Sequence, residues 1–148
     1  MPNTFDHSPA DVLRRLLIQL GLGTAPETRP LESWPIYASN EPSDPDNCIT
    51  VYDTAGTDDG RSMIDGELFG HYGIQVRVRS LDHATGWLKA DAIQTALAET
   101  VYDNAVTIGG SSYLVHSANK IGDVLALGKD VSDTKRSLFT LNAVLSLT

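Results

Sequence analysis

Tyr72–Leu81, YGIQVRVRSL, is the segment from which the rest of the chain can be read. Ile74, Val76 and Val78 alternate with Gln75, Arg77 and Arg79, a period of two that buries one face of a strand and leaves a cationic face opposite. Asp82 follows at once and has the chemistry of a helix N-cap. Behind it Trp87, Ala90, Ile93, Leu97 and Val101 recur at helical spacing, opposite Lys89, Asp91, Thr95 and Glu99. The spacing predicts a helix from Asp82 to about Tyr102. A half-buried strand feeding an amphipathic helix that must cover a sheet is the core of an α+β domain.

Working outward, Ser8–Leu20 reads as a first helix. Ser8 can cap it, Pro9 suits the first helical position, and Asp11 lies in the first turn. Val12, Leu13, Leu16, Leu17 and Leu20 share one face, Arg14, Arg15 and Gln19 the other, and Gly21 and Gly23 end it. Trp34–Ser39 is a short strand with Pro35 placing it at a sheet edge. Cys48–Thr54 (CITVYDT) is β-branched and aromatic, as strands are. Residues 55–71, rich in Gly and Asp, are expected to form a long loop or irregular hairpin. Ala105–Ile108, Gly109–Gly110 and Ser112–Ser117 make a hairpin, and residues 121–136 a second long connection. Leu138–Leu147 closes the chain, with Phe139, Leu141, Ala143, Leu145 and Leu147 on one face. The expectation is a single domain over residues 1–148. Its fold is α+β, a mostly antiparallel β-sheet with two amphipathic helices packed on one face, in the order α-β-β-β-α-β-β-β.

Size and charge narrow the function. The chain has 148 residues, 41% of them hydrophobic, enough for one core. Its longest apolar run is broken at Gln19, far short of the ~20 residues that cross a bilayer. The first residues lack the basic start and apolar stretch of a secretory signal. Nineteen acids against eleven bases give a net charge of −8. Non-specific nucleic-acid binding depends on cations that release phosphate counterions, so this balance argues against it, and equally against an anionic membrane surface.

No enzyme template fits the residues. Cys48, the single cysteine, opens a strand with no basic residue nearby in sequence to activate it. His7, His71, His83 and His116 are scattered without metal-ligand spacing. Gly21–Leu22–Gly23 follows a helix, whereas a phosphate-cradling loop follows a strand. Asp44, Asp46, Asp53, Asp58, Asp59 and Asp65 match no calcium-loop register and read as a solvated acidic rim. No catalytic residue, cofactor or metal is expected.

Several segments in order resemble the small neck proteins of tailed bacteriophages, known as minor capsid or tail-terminator-like proteins. They are Ile49–Thr54, the acidic loop after it, Gly73–Ser80, the helix holding Trp87, Lys89 and Ala90, the loop around Gly128 and Asp130, and Leu138–Leu147. The resemblance implies a structural virion protein of the tail neck, assembled in the bacterial host cytoplasm. It implies a homo-oligomer, a hexameric ring that caps the tail tube protein, ends its polymerisation and meets the head connector. A head-completion role in the same neck is the related alternative. DNA passes through the pore of such a ring without specific binding. Met63–Gly70 (MIDGELFG) separately resembles the uracil-binding hairpin of trimeric deoxyuridine triphosphatases, which keeps a nucleotide hydrolase as a second alternative. Local charge nominates Arg77, Arg79, Asp58, Asp59, Asp130 and Arg136 for the subunit interface. Arg77 and Arg79 are expected to pair with carboxylates of a neighbouring subunit.

Overall fold

The computed structural model describes residues 6–25, 34–42, 46–61, 68–129 and 136–147. Its elements are α1 (Pro9–Gln19), β1 (Ile36–Ala38), β2 (Cys48–Arg61), β3 (Leu68–Ser80), α2 (His83–Glu99), β4 (Tyr102–Ile108), β5 (Ser111–Lys129) and β6 (Ser137–Leu147). The order is the one expected. The six strands form a single sheet, β1-β2-β3-β6-β5-β4. It is mixed: β1 runs parallel to β2, and every other pairing is antiparallel.

Both helices begin with side-chain caps that satisfy backbone N–H groups otherwise left without a partner. Ser8 accepts from the Asp11 amide of α1, and Asp82 from the Thr85 amide of α2. The α1 stripe is buried as its spacing predicts, with Val12, Leu13, Leu16 and Leu17 at 0% exposure. In α2, Gly86, Ala90, Ile93 and Leu97 are buried. Trp87 is 42% exposed and meets the Phe139 ring edge-on, 6.3 Å between ring centroids. The helix stops at Glu99, so Val101 is buried beyond its end and Tyr102 already belongs to β4.

One hydrophobic cluster joins the two helices to the sheet. It takes Ile49 and Val51 from β2, Ile74, Val76 and Val78 from β3, and Phe139, Leu141, Ala143 and Leu145 from β6. Register explains the selection: Ile49, Val78 and Phe139 stand in one row, Val51, Val76 and Leu141 in the next. Each row puts its side chains on the helix side. The packing is tight where α2 crosses β6. A Cβ on Gly86 would stand 2.6 Å from Cε2 of the Phe139 ring and 3.0 Å from the Ser80 Cβ.

Of the two readings for 55–71, the irregular hairpin is the one observed, and the second long connection is in good part strand. Much of 55–71 is ladder, since β2 continues to Arg61 and β3 starts at Leu68, with Thr57 opposite His71 and Asp58 opposite Gly70. Of 121–136, the part to Lys129 is β5, paired with β6 as far as Ser137. The reason is the same in both. Ladder hydrogen bonds are made by the backbone, and bulges between Thr54/Thr57, Asp58/Arg61, Ile121/Leu125 and Ala126/Gly128 break the alternation that a strand shows in sequence. Gly122 and Gly128, at positive φ of 73° and 86°, adopt at these irregularities the left-handed conformation that glycine tolerates.

Candidate assembly interface

Strand alternation puts Cys48, Thr50 and Tyr52 of β2, Gln75, Arg77 and Arg79 of β3, and Leu138, Thr140 and Asn142 of β6 on the side of the sheet away from the helices. Here the connection from β1 to β2 supplies carboxylates. Glu41 stands between the two strand arginines, with Oε1 3.1 Å from Arg79 Nη1 and Oε2 3.3 Å from Arg77 Nη1. The Tyr52 hydroxyl donates to the same Oε2 at 3.5 Å. Asp46 organises the other end. Its carboxylate is 2.6 Å from Arg136 Nη2 and accepts from Arg136 Nε at 2.7 Å, while its carbonyl accepts from Arg79 Nε at 3.2 Å.

The arrangement is an alternating chain of charges, Arg77–Glu41–Arg79–Asp46–Arg136, lying on a sheet face. Burial along it is uneven. Arg79 is 3% exposed and Arg136 7%, whereas the Arg77 side chain is one-third exposed. The cationic face expected opposite Ile74, Val76 and Val78 is covered at Arg79 by the β1–β2 connection. Sequence alternation names the face of a side chain but not what folds over it. Arg77 and Arg79 find their partner carboxylate within their own chain, at Glu41.

Two neighbouring polar atoms in this face are buried without a hydrogen bond, Arg77 Nε and Thr50 Oγ1, and their residues are paired across β2 and β3. Cys48 lies opposite Arg79 in the ladder. A guanidinium ordinarily lowers a thiol's pKa, but here burial is the larger effect, and the Cys48 thiol is pushed up to about 11. It is a protonated, buried strand cysteine. Burial, then the Glu41 carboxylate, raises the Tyr52 phenol above its ordinary value.

The other nominated residues are dispersed. Asp58 and Asp59 lie in β2 on the irregular hairpin, Asp59 within a bulge. Asp130 lies outside the described residues, as do Met63–Glu67 of the MIDGELFG stretch. Glu41 was the residue that sequence reasoning missed. It sits in the turn-rich run Glu41–Asn47, where an acid is unremarkable, and nothing local signals two arginines 36 and 38 positions further on.

A second tether joins α1's exit to α2. Lys89 Nζ donates to the Leu22 carbonyl at 2.9 Å and stands 5.4 Å from the Trp34 ring centroid. Burial holds this ammonium below its usual pKa. Gly21–Leu22–Gly23 is here a helix stop, with Gly21 in the left-handed conformation. Among the described residues no group of three or more His, Cys, Asp or Glu is placed to hold a metal ion. No helix among the described residues is long and apolar enough to cross a membrane.

The fold is thus a helix-covered mixed sheet whose second face carries a charge network laid out between strands. A family model described as bacteriophage tail terminator protein matches residues 16–148, and the chain belongs to that family. It is a structural protein of the phage tail, as the neck-protein resemblance implied. Among solved structures, a chain from the virion of native gene transfer agent (GTA) particle is similar at 14% identity. The match covers 76% of this chain and 77% of that one, with a TM-score of 0.48. A comparison with curated proteins returns no match.

Proposed function

We propose that the chain is the subunit of a closed ring, six copies in all, that caps the tail tube, ends its polymerisation and presents a surface to the head connector. The family match over residues 16–148 carries this reading. The charge pattern is consistent with it. A net charge of −8 per copy is repeated around the channel, and a wall that repels phosphate lets DNA pass without the sticking that counterion release drives.

Within that reading, Arg77 is the member of the arginine network open to a neighbour, since its side chain is one-third exposed while Arg79 and Arg136 are buried. Arg79 and Arg136 are the buried members of the network, and Asp58, Asp59 and Asp130 are the acidic candidates for contact with an adjoining copy. The test is assembly with the tube protein. Purified chain added to polymerising tube protein is expected to cap tubes at a defined length and to show six-fold rings by negative-stain microscopy. A protein that stays monomeric and leaves the tube length distribution unchanged would refute the proposal.

A further inference from the structure

The two outer strands of the sheet cover only part of the strands beside them. β4 pairs with β5 from Ser111 to Ser117 and no further, so the outer edge of β5 from Ala118 to Lys129 has no strand partner among the described residues. At the other border, β1 pairs with β2 only at Ile49–Val51, which leaves the outer edge of β2 from Tyr52 to Arg61 without a strand partner among the described residues. An open edge is a row of unpaired backbone donors and acceptors ready to accept another strand.

Three of the exposed large apolar side chains lie on the first of these edges, while Leu81 and Leu88 are exposed elsewhere. Ile121, Leu125 and Leu127 lie along it at 58%, 55% and 48% exposure, and Tyr102, 78% exposed, stands opposite Ser117 where it begins. Trp87 reaches the same region over Phe139, which is paired with Ala126. Apolar side chains concentrated on an unpaired edge mark a contact surface.

We infer that β5 Ala118–Lys129 of one copy adds antiparallel to β2 Tyr52–Arg61 of the next, so that the sheet continues across each subunit boundary. Three observations select a second copy in this arrangement. Three antiparallel steps separate β2 from β5, so the two open edges run in opposite directions and meet antiparallel when copies are set side by side with the same face inward. The edges are nearly equal in length and differ in charge: Asp53, Asp58, Asp59 and Arg61 on one, Lys120, Asp123 and Lys129 on the other. Finally, the edges lie on opposite borders, as a head-to-tail contact requires, and such contacts form a ring when the rotation between copies closes.

The geometry also sets an offset. β1 occupies the end of β2 level with the free end of β5, so neighbouring copies must shift along the strand direction by several residues, as the strands of a closed barrel do. Bulges on both edges bend them and reject a flat, unselected partner.

The inference rests on the ring reading, and residue-resolved amide hydrogen exchange on the full chain separates the two. In an isolated subunit the outward amides of both edges exchange near free-peptide rates. In the ring, outward amides of both Ala118–Lys129 and Tyr52–Arg61 are expected to slow by roughly tenfold or more. Rings in which either segment keeps its fast amides overturn the strand pairing and leave the ring standing. Protection of β5 alone, with a dimeric mass, shows β5 pairing with itself and overturns both. A chain monomeric at every concentration, alone and with tube protein, also overturns both.

Discussion

Replacing Glu41 with Gln removes one negative charge from between two guanidinium groups while keeping the shape of the side chain. The stronger loss is at Arg79, whose side chain is 4% exposed against 14% for Glu41, at 3.1 Å. Breaking one side of a fully buried pair costs about 3–5 kcal/mol. Here Arg79 keeps its bond to the Asp46 carbonyl and Glu41 touches solvent, which lowers the figure to roughly 2–3 kcal/mol. The Arg77 pair, at 3.3 Å with a side chain one-third exposed, is screened and adds about 0.5 kcal/mol. A chain of 148 residues unfolds with an entropy near 0.3 kcal/mol/K, so Tm is expected to fall by about 8–11 °C. Thermal unfolding by circular dichroism measures this. Wild type and variant must be compared at one protein concentration, because assembly itself raises Tm. Arg77→Ala should cost much less than Glu41→Gln. A Glu41→Gln protein within about 2 °C of wild type, or an Arg77→Ala protein that loses as much, would refute the view that the buried half of the network holds the β1–β2 connection on the sheet.

Gly86→Ala gains helix propensity of about 1 kcal/mol but drives a Cβ into the fixed Phe139 ring, so a net loss of about 1–2 kcal/mol is expected in urea unfolding; a stabilised variant would contradict the packing. Cys48 should resist a thiol reagent in the native protein and react at once in denaturant; fast native labelling would place it at the surface. Its thiol has a folded pKa of about 11 against 9.0 unfolded. The unfolded state therefore loses its proton first, and this stabilisation is full below pH 9 and lost as pH rises from 9 to 11. The difference in stability between wild type and Cys48→Ala should shrink over that window, and a constant difference would deny the shift. Ser8→Ala removes the cap on the Asp11 amide and should cost about 1 kcal/mol, with an unchanged urea midpoint as the contrary result. Purified protein should show no DNA affinity by fluorescence anisotropy at moderate salt, whereas salt-sensitive binding would overturn the reading of its charge.

Local pattern settled what depends on neighbouring residues in the chain. Ser8 with Pro9, and Asp82 ahead of its helix, announce their caps because capping is completed within one turn. Ile74, Val76 and Val78 announce their buried face because a strand turns over every second residue. The element order, both helices and the central strands follow from such signals, and so does the single face that binds them. Tertiary structure alone decided the remainder. The ladder past Thr54 and past Ser117 is carried by backbone groups that every residue possesses, through bulges that erase the period of two, so glycine and aspartate there look like loop. The parallel placement of β1 and the partial cover that β1 and β4 give their neighbours come from chain path, which no window of sequence contains. The fate of Arg79 shows the same division. Alternation assigned it to the face away from the helices, correctly, but whether that face met water was decided by Glu41 and Asp46, brought over it from 38 and 33 residues away. A charge placed by sequence on a surface becomes a buried, paired one only when distant residues close over it.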